Sequence, residues 1–490
     1  MAPDRILTAD EIAKHNSRQS CWVVIDGHAY DVTDFLDQHP GGSAIILRYA
    51  GKDATEEYSP VHSPGTIEKE LPKDKHLGQV DLMTFLSIRK ASKSPLTNAT
   101  PSGPLPIEMC VNLHDISLAA QKVLPERAWT YYASASEDLH SHRRNLHDWD
   151  RILFRPRVLK NVKHVNMHRK ILGFESSLPF FIAPAAMAGL GHPDGERCLV
   201  RGAKKFNIPY FVSDGSSVSH EDLAQELERE GYGGVLFYQL YAKKKKDLTI
   251  QRIHRARQLG YKALIITVDT AVMGIREEDD RYRMRQAFER GEKYIPLCGL
   301  APLTKDDDWV LRGVHNAALD WNDLKWVKEA WGNTGPISIK GILTTEDAKI
   351  ACEMGFQSIY LSNHGGRQID SGPSGLRALL EIRRFYPDVF DKCEVLLDGG
   401  VRRSRDILKA LCLGATGVGL GRPFLYALSA YGTEGVLKVI QILSDELEIS
   451  MRLLGVTSLD ELRPHMVNKL DLDNSIMREI PGFKNSTSKL

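Results

Sequence analysis

From about residue 178 onward, apolar runs of seven to nine residues recur along the chain, each closing on glycine or polar residues and most followed by a stretch of helical character. They are LPFFIAPAA (178–186), IPYFVSD (208–214), GGVLFYQLY (233–241), ALIITVD (263–269), GPISIKG (335–341), SIYLSNHGG (358–366), EVLLDGG (394–400) and GATGVGLGR (414–422). Their hydrophobicity is nearly continuous rather than alternating, which marks strands covered on both faces, as parallel strands with crossover helices are. Segments such as TTEDAKIACEMG and RRSRDILKALCLG supply those helices. Eight such units predict an α/β fold, a parallel sheet closed into a (β/α)8 TIM barrel, with an open doubly wound sheet as the alternative. Tyr241, Asp269, Lys340, His364, Asp398 and Arg422 fall at or just beyond the C-terminal ends of the runs and would converge on one mouth in a barrel. The connection from 270 to 334 runs 65 residues, long enough for a lid as well as a helix.

The pattern before residue 107 is different. Residues 91–106, ASKSPLTNATPSGPLP, hold four prolines and no periodic apolar face, and so predict a linker. The expected organisation is a front module over 1–90, the linker over 91–106, the barrel over 107–475 and a tail over 476–490. A length of 490 residues agrees with more than one core. Lys plus Arg number 64 against 63 acidic residues, so no general field favours nucleic acid or anionic lipid. The front module is mildly acidic, with 14 acidic and 10 basic side chains over residues 1–90. Such a surface suits a basic redox partner or plain solvation.

Seven cysteines without a C-x-x-C pair read as reduced thiols, with neither disulfides nor zinc expected. No run of eighteen apolar residues predicts a membrane span, and the opening MAPDRILTADEIAKH has neither a secretory core nor the character of a mitochondrial presequence. The last residues, Ser488-Lys489-Leu490, form a peroxisomal address read by an import receptor, which makes the peroxisome the expected location and the cytoplasm the alternative.

Two constellations suggest chemistry. In DFLDQHPGG, His39 precedes a Pro-Gly-Gly turn, and His62 follows 23 residues later in AGKDATEEYSPVHSPG. Two loop histidines amid Phe35, Ile45, Leu47 and Tyr58 could close on an iron from opposite sides, while solvated loop histidines are the plainer reading. In SNHGGRQ (362–368), Gly365 and Gly366 let backbone pass close to a ligand, and His364 and Arg367 present a base and a carboxylate clamp. A structural turn with a surface arginine is the alternative. Asp269 would orient the imidazole and raise its proton affinity. Lys340 would supply a buried cation. Asp398, Gly399 and Gly400 with Arg402, then GLGR at 419–422, lie in the loops after the last two strands, where barrels hold phosphate. No dinucleotide fingerprint stands in a strand-turn-helix context. The run Lys243–Lys246 reads as a solvated face.

WVVIDGHAYDVTDFLDQHPGG followed by AGKDATEEY resembles cytochrome b5, a small α+β fold, across nearly the whole front module. The resemblance implies haem b ligated by His39 and His62. Residues 108 to about 475 resemble the FMN-dependent 2-hydroxy acid oxidases and dehydrogenases, with YYAS, FYQLY, TVD, IKG, SNHGGRQ, DGGVRR and GLGRPFLY in order. The two together are similar to the flavocytochrome b2 type, the L-lactate dehydrogenases (cytochrome). That likeness implies oxidation of an L-2-hydroxy acid, with electrons passing from FMN to haem and on to a one-electron acceptor such as cytochrome c. It makes His364 the base and Asp269 its partner, with Arg367 and Tyr131 on the substrate carboxylate. By the same likeness Tyr241 lies near the reacting oxygen, Arg276 is a second cation, and Lys340 sits at the flavin N1/C2 edge. Ser213, Gln239 and Thr267 hold the polar edge of the isoalloxazine. Asp398, Gly400, Arg402, Gly421 and Arg422 handle ribityl and phosphate. A homotetramer is also implied.

Three positions depart from the family pattern: Ala135 where glycine is usual, Ala185 where threonine often contacts flavin, and Gly215 where many members place a bulky side chain over the substrate. The last predicts a substrate larger than lactate, including aromatic 2-hydroxy acids. The address at the C-terminus favours a second reading, a peroxisomal oxidase reducing oxygen to hydrogen peroxide. A non-catalytic electron carrier is the reading from another class, and the presence of His364, Arg367, Lys340, Tyr131, Tyr241 and Asp269 opposes it.

Overall fold

A computed structural model describes residues 6–39, 43–58, 62, 65–81, 103–229, 233–292 and 315–485. The linker over 91–102, residues 293–314 of the long connection and the Ser-Lys-Leu terminus lie outside the described residues. The chain divides into two units, Met1–Ser102 and Gly103–Leu490. Residues 103–106 thus fall with the second unit, where the Leu105 carbonyl accepts from the Tyr431 hydroxyl. Part of the expected tail packs there as well, with Ile476 and Ile480 buried.

The first unit is built on a small sheet of strands Asn16–Ser17, Ser20–Ile25, His28–Asp31 and His76–Gln79, with Lys52–Asp53 pairing parallel to the second. Asp26 and Gly27 both take positive φ and join Ile25 to His28 through a two-residue hairpin, the turn that matches strand twist. Alternation along Ser20–Ile25 serves both faces. Cys21, Val23 and Ile25 pack with Val32, Leu36 and Leu71 on one side, and Val24 joins Leu7, Ile12 and Val80 on the other.

The second unit is a closed parallel barrel: β1 (Phe180–Ile182), β2 (Pro209–Ser213), β3 (Val235–Leu240), β4 (Leu264–Thr267), β5 (Ile337–Ile342), β6 (Ser358–Leu361), β7 (Glu394–Asp398) and β8 (Gly417–Leu420), with β8 pairing back to β1. All eight apolar runs become these strands, each shorter than its run.

Inside the barrel, Phe181, Phe211, Phe237 and Tyr360 meet, with Phe181 and Phe211 stacked at 4.1 Å. Gly419 makes room for them, since a Cβ there would stand 2.4 Å from the Tyr360 hydroxyl oxygen. The hairpin of Arg169–Ile171 and Phe174–Ser176 closes the floor, with Ile171 and Leu172 buried against this layer and Glu394 accepting from the Leu172 and Gly173 amides. The barrel interior is therefore solid below, and the large cavity opens at the C-terminal ends of the strands.

Among the described residues no helix is long and apolar enough to cross a membrane. The six described cysteines are free, and Cys352 and Cys393 hold their sulfurs 2.8 Å apart.

Candidate active site

Asp269 follows β4, Lys340 lies in β5 and His364 follows β6, so three neighbouring strands deliver the central charges. β5 carries a register shift between Lys340 and Ile342. Gly341 occupies it at φ +112°, and a Cβ there would come within 2.7 Å of the Asp269 Cβ. Glycine is what lets strand ends carrying a cation and an anion lie this close. His364 itself takes φ +59°, a left-handed conformation uncommon for a side-chain-bearing residue and typical of functional loops.

The His364 Nδ1 lies 2.9 Å from Asp269 Oδ1, and the Thr270 hydroxyl donates to the same carboxylate oxygen at 2.7 Å. Asp269 Oδ2 has no hydrogen-bond partner among the described residues and faces Lys340 Nζ at 3.7 Å. Burial alone would raise the Asp269 carboxyl, but the attraction of His364 and Lys340 overcomes it and holds the group well below the usual range. Asp269 is therefore an anion and accepts the hydrogen bond that His364 Nδ1–H donates. This leaves Nε2 with its lone pair, 3.3 Å from the Tyr241 hydroxyl. Burial also lowers the pKa of His364, with Lys340 and Arg276 adding to it and Asp269 opposing. The expected upward pull of Asp269 on the proton affinity is present, but desolvation is larger, and the resting imidazole is a neutral base.

Arg276 and Arg367 stand together above this centre. Arg367 donates to the carbonyls of Tyr131 and Ser134 at 2.7 and 3.0 Å and lies over the Tyr131 ring at 4.9 Å. Arg276 is 9% exposed, its Nε has no hydrogen-bond partner among the described residues, and burial together with Arg367 pushes its pKa down to about 10. Neither guanidinium forms an ion pair among the described residues. Asp279 acts on both only from a distance, so two buried cations without a paired anion are a site for a carboxylate.

Lys340 donates to Ser362 Oγ at 2.9 Å, and Ser362 and Tyr360 donate to the two oxygens of Asp398 at 2.7 and 2.9 Å. Asp398 is thus bound into the wall beneath Lys340. Gln239 donates to Thr267 Oγ1 at 3.0 Å, and Ser213 Oγ accepts from the Gly215 amide. Ser213, Gln239, Thr267, Lys340, His364 and Asp398 line one cavity of about 550 Å³ with Tyr131, Tyr241, Arg276, Arg367, Arg402 and Arg422.

The residues fit FMN. Among the described residues Arg402, whose pKa burial depresses, has a side-chain hydrogen bond only to the Val401 carbonyl, and a Cβ on Gly421 would meet open space. That combination leaves a cation and bare backbone for a phosphate. Arg422 differs from the expected phosphate ligand in part, because Nε, Nη1 and Nη2 donate to the carbonyls of Tyr132, Gly365 and Ser134. It fastens the helix Glu126–Ala133 to the histidine loop while still lining the cavity.

Several supports carry no signal in the sequence. Asn145 and Asn363 exchange amide hydrogen bonds at 2.8 and 2.9 Å, and a Cβ on Gly400 would stand 1.7 Å from the Asn145 carbonyl oxygen. His315, beside the long connection, packs its ring on Tyr241 at 4.5 Å. Lys243, expected in a solvated face, is instead 14% exposed and pairs with Asp214 at 2.8 Å in the cavity wall. A lysine run would have flagged none of this, because the partners come from β2 and the segment at 315.

In the first unit, His39 and His62 face each other across a cavity of about 740 Å³ lined by Val23, Ile25, Val32, Phe35, Ile46 and Leu71. Their ring centroids are 6.0 Å apart, a gap that one metal ion with bonds of about 2 Å to each ring nitrogen spans. His62 Nδ1 lies 3.0 Å from the Tyr58 carbonyl, which fixes the tautomer and leaves Nε2 for the metal. An apolar slot between two imidazoles fits haem.

Residues 120–469 match the FMN-dependent dehydrogenase family, and residues 8–81 match the cytochrome b5-like heme/steroid binding domain. The chain belongs to the FMN-dependent dehydrogenase family. It is an oxidoreductase of that family with a cytochrome b5-like haem module in front. An L-lactate dehydrogenase (cytochrome) of Wickerhamomyces anomalus is 38% identical over 98% of this chain and 82% of its own length. A peroxisomal (S)-2-hydroxy-acid oxidase of Oryza sativa subsp. japonica is 37% identical over 75% of this chain and 98% of its own. A mutant flavocytochrome b2 solved with benzoylformate is 35% identical, with a TM-score of 0.66 over 82% of this chain and 94% of its own.

Proposed function

We propose that the barrel oxidises an L-2-hydroxy acid to the 2-oxo acid and that the electrons leave one at a time through the front module to an acceptor such as cytochrome c. The observation that carries this reading is the pair of buried guanidiniums, Arg276 and Arg367, neither in an ion pair among the described residues, in the cavity that His364 lines. The guanidiniums hold the substrate carboxylate, with Tyr131 beside them. This fixes the α-carbon and its hydroxyl against Nε2, which accepts a proton from the CH–OH group. Tyr241, whose hydroxyl meets Nε2 at 3.3 Å without substrate, hydrogen-bonds the substrate oxygen. Asp269 stabilises the imidazolium that forms. FMN held in this cavity would supply the acceptor for the two electrons and the remaining hydrogen, and haem held by His39 and His62 would supply one-electron transfer. Lys340, Ser213, Gln239 and Thr267 hold the flavin's polar edge, and Gly399, Gly400, Arg402, Gly421 and Arg422 border its ribityl phosphate.

Gly215 supports a substrate bulkier than lactate. A Cβ there would meet only the Ala186 Cβ at 3.2 Å and Ser213 Oγ at 3.8 Å, so the wall is low. The related flavocytochrome b2 mutant that holds benzoylformate supports aromatic acids among the candidates. A substrate panel tests this: lactate, 2-hydroxyhexanoate and mandelate are mixed anaerobically with the protein carrying both cofactors. Flavin bleaching followed by haem reduction is expected with the larger acids, and a response to lactate alone overturns the larger-substrate reading.

The Ser-Lys-Leu terminus and the peroxisomal relative favour a second reading, an oxidase that gives hydrogen peroxide inside peroxisomes. Peroxide formation and cytochrome c reduction, measured side by side in air, decide between them. Imaging the protein with and without its last three residues tests location. Light scattering tests the homotetramer.

A further inference from the structure

The cavity that holds the reacting centre and Gly215 is also walled by Lys243, Arg252 and His315. Asp214, next to Gly215, accepts from Lys243 at 2.8 Å, from Arg252 and from the Tyr238 hydroxyl at 2.8 Å. One carboxylate, with a side chain 2% exposed, thus faces two cations, and the cluster keeps a surplus positive charge. Arg252 is 45% exposed but Lys243 only 14%, so Lys243 is the cation of the cluster that is poorly hydrated.

Across from it, His315 pairs its backbone with Lys243 in a β-bridge and its ring with Tyr241. His315 Nδ1 is buried and has no hydrogen-bond partner among the described residues. Burial and then Lys243 push this imidazole down to about 4, so it is neutral and offers one N–H donor. Low Ala186 and Gly215 lead toward this wall, and its side chains are polar. An aromatic ring would cover the surplus charge without pairing it, whereas a carboxylate would pair it and give His315 an acceptor.

We propose that this wall is the side-chain subsite and that the preferred substrate is an L-2-hydroxy acid carrying a second carboxylate, bound by Lys243 and His315. The inference rests on the proposed function, in which the substrate side chain leaves the α-carbon over Gly215. It assigns Lys243 and His315 to specificity, while the reacting carboxylate stays with Arg276 and Arg367.

The test uses the full chain with both cofactors. Initial rates on L-malate and L-2-hydroxyglutarate are compared with those on 2-hydroxyhexanoate, mandelate and lactate, and calorimetry gives dissociation constants for 2-oxoglutarate and 2-oxohexanoate. A dicarboxylate kcat/KM at least tenfold above that of 2-hydroxyhexanoate is expected, with tighter binding of the dicarboxylic product. Lys243→Met should cut that ratio at least tenfold through KM, and His315→Leu should lower it in the same direction. Asp214 keeps Arg252 in the first variant, which guards the fold. Turnover of mandelate or 2-hydroxyhexanoate with dicarboxylates rejected overturns the anionic subsite and leaves the larger-substrate reading standing. Turnover of lactate alone overturns both. A dicarboxylate preference that survives both variants overturns the assignment to these residues.

Discussion

At the residue scale the decisive quantity is the protonation of His364. Burial holds its pKa below the ordinary histidine value of about 6.5, and only the neutral ring accepts a proton. The rate kcat/KM should therefore be level near neutrality and fall on acidification, with a midpoint below about pH 6.5. Asp269→Asn removes the interaction that opposes the depression. The midpoint should move lower still while kcat drops by about 10²–10⁴-fold, which a pH–rate profile of both proteins checks. His364 and Arg367 were legible because SNHGGRQ concentrates base and clamp within a few residues, and Asp269 because it closes an apolar run of its own. Asn145, which locks the amide of Asn363 from 218 positions away, was not, since an isolated asparagine in a helix gives no hint of its partner. Lys243 misled for the opposite reason. Neighbouring lysines imply solvent, and only the Asp214 side chain delivered by β2 explains why the first of them turns inward.

At the element scale, eight apolar runs became eight strands because continuous hydrophobicity leaves parallel, doubly covered strands as the economical solution. The irregularity in β5 was illegible. A glycine after lysine says nothing of a register shift until Asp269 is seen beside it. Gly341→Ala would force a side chain into φ +112° and against the Asp269 backbone nitrogen at 2.8 Å. The cost expected is about 1–3 kcal/mol in the unfolding of the barrel unit, together with a fall in kcat as Lys340 and Asp269 are pushed apart. Urea unfolding and initial rates on the same preparation measure both.

At the scale of the whole molecule, two units with separate cores carry two kinds of electron chemistry. His62→Leu removes one of the two imidazoles that bracket the haem slot while leaving its apolar wall. The variant should lose the haem absorption band and cytochrome c reduction, yet substrate should still bleach the flavin. A stopped-flow record at both wavelengths checks this. Retention of cytochrome c reduction without haem would mean that the barrel reaches its acceptor directly.

The aromatic floor of the barrel has a kinetic consequence. With Phe181, Phe211 and the hairpin at 169–176 sealing one end, the reactant arrives and the ketone departs through a shared doorway. Each molecule of product must vacate before its successor can dock, so accumulating oxo acid competes for the same vestibule and slows the cycle most when fresh fuel is scarce.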